Sequence, residues 1–163
     1  MITQKRLQEL LHYNPSSGDF VWLVSASNRV KVGDRSGCLS GRRYLVIRID
    51  GKLCLAHRLA WLYVHGEFPP DQIDHINGIK HDNRLSNLRP ATHSENMRNQ
   101  RIPSNNTSGY KGVRWHKPTG KWQAYIKVDG IQKHLGLFTD IADAVAAYAA
   151  ASKKYHGEFS RVA

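Results

Sequence analysis

Apolar and polar positions change period several times along the chain, and each change marks an element. Residues 3–12 place Leu7, Leu10 and Leu11 at helical spacing behind Thr3, whose hydroxyl suits an N-cap, and predict a short amphipathic helix. Tyr13-Asn14-Pro15-Ser16-Ser17-Gly18 ends it with turn formers. Strand-like runs come next at 20–24 and 44–49, and Asp50-Gly51 predicts a hairpin, since a type I′ turn needs positive φ at both central residues. The second arm runs into a helix over 56–65 with Leu59, Leu62 and Tyr63 on one face and Gly66 at its end. Pro69-Pro70 separates this helix from the next unit of the chain. Residues 102–109 are polar, turn-rich and without period, and read as a boundary. Beyond them, 121–128 alternates polar and apolar, Asp129-Gly130 turns the chain back into 131–137, and 140–151 forms an Ala-rich helix behind Thr139 or Asp140, with Ile141, Ala144, Val145 and Tyr148 at helical spacing. The pattern predicts an α+β chain of two small units.

Charge narrows what such a chain meets. Its 163 residues carry 24 Lys and Arg against 13 Asp and Glu, a formal +11, which favours a polyanionic partner. Residues 103–163 hold nine basic and four acidic side chains and residues 1–102 hold fifteen and nine, so the excess divides into +5 and +6 and is no tail property. Nucleic acid explains it better than an anionic membrane face. No apolar run reaches the ~18–20 residues that span a bilayer, and the N-terminus leads into an amphipathic segment, so the chain reads as cytoplasmic and unprocessed. Cys38 and Cys54 are too few for a four-thiolate zinc site or a disulfide framework and read as small buried or half-buried thiols.

The densest chemistry lies at residues 71–78, 82–89 and 92–99. Asp74 and His75 are adjacent, so on an extended strand they face opposite sides unless the strand bends. Thr92 and Glu95 have the spacing of a capping box, which starts a helix near His93 and sets Asn96 in its first turn. Taken singly, each piece has a plain alternative: an Asp-His pair is usually structural, and Asn77, Asn83 and Asn87 suit turns that cap their own backbone. Together, from about Ala56 to Asn99, they resemble the HNH endonuclease family, in the subgroup of phage free-standing or intron-encoded homing endonucleases. The resemblance implies a ββα-metal fold: a strand ending in Asp74-His75, a second strand near 87–91, and a helix carrying Asn96. It also implies that Asp74 and Asn96 are metal ligands, that His75 is the general base, and that Asn87 holds the His75 loop. Hydrolysis of a phosphodiester needs an activated water and relief of charge on the phosphate and the leaving oxygen, which an imidazole and one cation supply. Hard oxygen ligands favour Mg²⁺ or Mn²⁺ over Zn²⁺. His93, three residues before Asn96, is either a neighbour of the metal or phosphate or a solvated helix residue. Arg89, Arg98 and Arg101 are candidate phosphate contacts, and His57-Arg58 is expected to orient or pack rather than catalyse.

Residues 109–157 resemble the ethylene-response-factor (APETALA-type) DNA-binding domain, on Gly109-Tyr110-Lys111-Gly112-Val113-Arg114, Gly120-Lys121-Trp122-Gln123-Ala124-Tyr125-Ile126 and His134-Leu135-Gly136-Leu137-Phe138-Thr139, with Ala142-Asp143-Ala144 and Ala147-Tyr148 after them. The resemblance implies a three-stranded antiparallel sheet backed by a helix, with Lys111, Arg114, His116, Lys121, Tyr125, Lys127, Gln132 and His134 toward a DNA groove. Alternation alone already separates Lys121, Gln123, Tyr125 and Lys127 from Trp122, Ala124, Ile126 and Val128. Trp122 belongs to the core, and Trp115 suits either face. Several plant arginines and a groove-facing tryptophan are replaced here, so base specificity does not transfer.

The sequence therefore predicts a nuclease unit over 1–101, a linker over 102–108 and a DNA-binding unit over 109–163. The function expected is that of a metal-dependent HNH endonuclease acting on double-stranded DNA, without a membrane, as a monomer or weak dimer on DNA. One such site cuts one strand. The alternatives are a non-cleaving DNA-binding regulator with a vestigial nuclease unit, and, less well supported because paired exposed aromatics are missing, an RNA-binding module.

Overall fold

The structure, a computed structural model, describes residues 2–161. They divide into two compact units, 1–92 and 93–163 by sequence, with the division at Thr92/His93 rather than within 102–108.

The first unit opens with α1 (Gln4–Leu10), capped as expected by Thr3, whose side chain accepts from the Arg6 N–H. The helix ends earlier than its apolar spacing suggests. Leu11 leaves it to start β1 (Leu11–Tyr13), which pairs antiparallel with β2 (Phe20–Trp22), Leu11 opposite Trp22 and Tyr13 opposite Phe20. All four side chains are buried, so pairing into the core overrides another half-turn of helix. A two-residue strand, β3 (Cys38–Leu39), joins β4 (Leu45–Ile49) and β5 (Lys52–Leu55) in the order β3-β4-β5. At their hairpin Asp50 and Gly51 have φ of 47° and 79°, the turn the sequence predicts. Cys38 is exposed at this sheet edge, against the expectation of burial, while Cys54 is half-buried. Helix α2 (Ala56–His65) comes next and ends at Gly66 in the left-handed region.

Beyond it lie β6 (Gln72–His75) and β7 (Leu88–Ala91), an antiparallel pair with Asp74 opposite Arg89 and His75 opposite Leu88. Pro90 is tolerated because each strand of a two-stranded ribbon has an open edge. Ile73 and Leu88 sink into the core built by Leu7, Leu11, Tyr13, Phe20, Ile47 and Leu59. The N-terminal hairpin also braces the stretch before β7. Tyr13 donates to the Asn83 carbonyl at 2.7 Å and the Pro15 carbonyl accepts from Leu85 N–H. A Cβ on Gly18, whose φ is 79°, would lie 2.5 Å from Arg84 N.

The second unit begins with α3 (His93–Asn99), starting at the residue the capping-box spacing indicates. Strands β8 (Val113–His116), β9 (Lys121–Val128) and β10 (Ile131–Phe138) form an antiparallel sheet with β9 central. Asp129 and Gly130, with φ of 50° and 82°, make its second hairpin. Helix α4 (Ile141–His156) is capped by Asp140, whose side chain accepts from Ala142 N–H at 2.7 Å. Ala144, Tyr148 and Ala151 of α4 pack on Val113, Ala124 and Ile126. Gly112 lies where a Cβ would meet the Tyr148 ring at 2.3 Å, so only glycine fits.

Candidate active site and sheet face

His75 ends β6 and is 5% exposed. Its ring packs edge-on against His57 of α2, 5.0 Å between centroids, and tilted against Tyr44 at 6.1 Å. Nε2 lies 3.3 Å from Asn83 Oδ1. Burial pushes the His75 pKa below its ordinary value, a shift opposed by the Asn83 bond and by Asp74, so the ring is neutral at pH 7. His57 is 5% exposed too, its Nδ1 has no hydrogen-bond partner among the described residues, and burial beside His75 pushes it down to about 3. The neighbouring Arg58 donates to the Asp71 carbonyl at 2.9 Å and lies over Phe68, holding the chain where it enters β6. His57-Arg58 thus orients and packs, as the sequence suggests.

Between the strands, residues 76–84 form a tightly bonded loop. Asn87, buried, accepts from Asn77 N–H at 3.0 Å through Oδ1 and donates to the Asp82 carbonyl at 2.8 Å through Nδ2. Both ends of the loop are therefore held by one amide side chain. Asp82 in turn accepts from Asn77 Nδ2 and is forked by Arg84 through Nε and Nη2, which holds its carboxyl at about 2.

Asp74 precedes His75 on β6 and pairs across the ribbon with Arg89 of β7. Its Oδ2 accepts from Arg89 Nε at 2.9 Å and Nη2 at 2.8 Å, with the carboxylate side chain 5% and the guanidinium side chain 14% exposed. Arg89, expected at a DNA phosphate, is here the partner of the expected metal ligand. The register explains it, because cross-strand neighbours share a face. Asn96 is carried on α3 in the second unit, and His93 is exposed at the start of that helix.

On the sheet of the second unit, the register sets Arg114 beside Gln123, His116 beside Lys121, Gln132 beside Lys127 and His134 beside Tyr125. Cross-strand partners share a face, so Arg114, His116, Lys121, Tyr125, Lys127, Gln132 and His134 line the side away from α4. Arg114 Nε donates to Gln123 Oε1 at 2.9 Å, Gln123 Nε2 lies 3.2 Å from His134 Nδ1, and the Arg114 guanidinium sits over the Tyr125 ring. Trp122 packs on the core and Trp115, 47% exposed, stands edge-on to it. Two expected DNA contacts have other partners. Lys111 Nζ donates to the Arg98 carbonyl at 2.9 Å and burial pushes it down to about 8, while Arg98 pairs with Asp129 at 3.2 Å. Lys111 precedes β8 and does not belong to the strand face.

Sequence reasoning passed over Asn83 and His57 as neighbours of His75. The signal for Asn83 was indirect: a polar residue between Asp82 and Arg84 reads as exposed, whereas Tyr13 and Gly18 close over its backbone and leave it 1% exposed.

Residues 54–98, which contain β6, β7 and the loop between them, match the family model described as HNH endonuclease. The chain therefore carries an HNH endonuclease domain. It belongs to the same family as Protein 3.8 of Escherichia phage T7, with 35% identity over 106 residues, 64% of this chain and 87% of that protein. A solved structure reporting DNA binding and cleavage by the HNH homing endonuclease I-HmuI aligns over 90% of this chain and 85% of that one, at 19% identity and a TM-score of 0.44.

HNH nucleases generally use a divalent metal. Asp74 offers a carboxylate held in place, and no group of three or more His, Cys, Asp or Glu side chains that could hold a metal occurs among the described residues.

Proposed function

We propose that the protein is a metal-dependent endonuclease that nicks double-stranded DNA, with the sheet of the second unit binding the duplex. The reading is carried by one observation: within the residues matching the HNH family, a buried neutral imidazole sits at the end of a strand next to a buried carboxylate.

In the tautomer in which Nε2 of His75 donates to Asn83 Oδ1, the ring lone pair lies on Nδ1, the atom that takes a proton from the attacking water. Asn87 fixes the loop after His75, so the ring keeps its direction as the proton arrives. Asp74 would supply the carboxylate that holds a Mg²⁺ or Mn²⁺ ion, the ligand role the family resemblance implies for it. When bound, the cation stabilises charge on the phosphate and on the leaving oxygen. The cationic face of the sheet, with Arg114, Lys121 and Lys127, meets backbone phosphates, while Gln123, Gln132 and His134 present hydrogen-bonding groups to base edges.

The experiment is incubation of the purified full-length chain with supercoiled plasmid and Mg²⁺. Conversion to open circle before any linear form supports a nickase. Binding without conversion points instead to the non-cleaving regulator.

A further inference from the structure

Asp74 is not held by chance. Arg89 reaches it directly across the β6–β7 register, and its Nε and Nη2 both bond the oxygen Oδ2. The carboxylate side chain is 5% exposed and the guanidinium 14%, and a carboxylate so far from water is costly without a cation beside it. A divalent cation meets the same need with twice the charge, and at this carboxylate it would meet the like charge of a resident guanidinium.

We infer that Arg89 is the resident counter-ion of Asp74, that it competes with the divalent cation for this carboxylate, and that cation binding hands its guanidinium over to the phosphate. The inference rests on the nuclease reading above and adds to it a positioning residue with two partners. The planar fork that now grips one carboxylate oxygen matches phosphate oxygens equally well, and its stem rises from the same ribbon face as Asp74. While Asp74 lacks a cation the fork keeps the carboxylate aimed. Once the cation takes over, the fork carries a positive charge to where the cleaved phosphate lies. Cation and DNA then strengthen each other's binding, because each removes an obstacle to the other.

The first measurement is Mn²⁺ binding to the full-length chain without DNA, read from the electron paramagnetic resonance of free Mn²⁺. Arg89→Gln is expected to bind Mn²⁺ about tenfold more tightly than wild type, equivalent to about 1.4 kcal/mol. Arg89→Lys, which keeps the charge, is expected to stay near the wild-type value. An Arg89→Gln protein that binds no more tightly than wild type overturns the competition. Asp74→Asn should lose this binding; retention there overturns the assignment of the site to Asp74. In a His75→Ala background, adding a short duplex should raise Mn²⁺ affinity, and the gain should vanish with Arg89→Gln; an equal gain in both overturns the hand-over.

If Arg89→Gln does not fold, the wild-type chain carries the test. The Arg89 Nε–H resonance should be protected in the cation-free protein and shift with faster exchange as Mg²⁺ is added, and a resonance unchanged up to high Mg²⁺ overturns the inference. Wild-type cleavage with Mg²⁺ alongside a failed competition test sinks only this inference, whereas no cleavage by any arm sinks the nuclease reading itself.

Discussion

Acid should weaken the first unit through one buried ring. His57 lies 5% exposed on α2, its Nδ1 lacks a hydrogen-bond partner among the described residues, and its neighbours are the His75 and Tyr44 rings at 5.0 and 5.3 Å. Burial depresses its pKa from 6.5 to about 3. The neutral ring therefore stabilises the fold fully above pH 6.5, and that contribution declines as pH falls from 6.5 toward 3. At pH 5 the loss spans about 1.5 units, or about 2 kcal/mol at about 1.36 kcal/mol per unit. His57→Leu, close in volume, removes this proton linkage while leaving every other titrating group in place. The assay is urea denaturation at pH 7.5 and pH 5.0 in a background where Trp115 and Trp122 are Phe, so that emission reports only Trp22 and Trp61 of the first unit. Wild type should lose about 2 kcal/mol more than His57→Leu over this interval. Equal losses, within about 0.5 kcal/mol, refute the claim that His57 is forced neutral.

The geometry sets three further outcomes. Asn87→Ala strips the two bonds that tie the 76–84 loop at Asn77 and Asp82 and should cost about 1–3 kcal/mol in urea melts, with a larger fall in cleavage rate than the stability loss alone explains. Gly112→Ala puts a methyl group 2.3 Å from the Tyr148 ring at a φ of 63° and should destabilise the second unit by about 2–4 kcal/mol, read by circular dichroism melts; an unchanged melt would contradict the packing described. Lys127→Gln on the sheet face should weaken DNA binding across sequences and lower the slope of log affinity against log salt by about 1, whereas Ile131→Gln, at the rim and 67% exposed, should not alter that slope.

What the sequence revealed and what it hid divide along physical lines. Local signals held. Asp50-Gly51 and Asp129-Gly130 make the turns their φ preferences predict, Thr3 caps α1, and the alternation of 121–128 sorts the two faces of β9 correctly. What failed was non-local. Leu11 looks helical until Phe20–Trp22 is there to pair with it, and β3 is too short to leave a period. Asp74, His75 and Asn87 were legible because their spacing resembles a known pattern. Their partners were not, since Arg89, Asn83 and His57 reach them only through strand register, a brace from the N-terminal hairpin and the packing of α2. Lys111 shows the same limit from the other side: a basic residue beside a basic strand reads as part of its face, yet its ammonium is bonded to the Arg98 carbonyl.

The central claim is that His75 acts as the base of a cation-dependent nuclease centre, and single-turnover cleavage of an end-labelled duplex tests it most directly. Wild type with Mg²⁺ should cut, His75→Ala should fall by about 10²–10⁴-fold, and EDTA should stop both. A His75→Ala protein that cuts at the wild-type rate, or wild-type cutting that survives EDTA, would contradict the account.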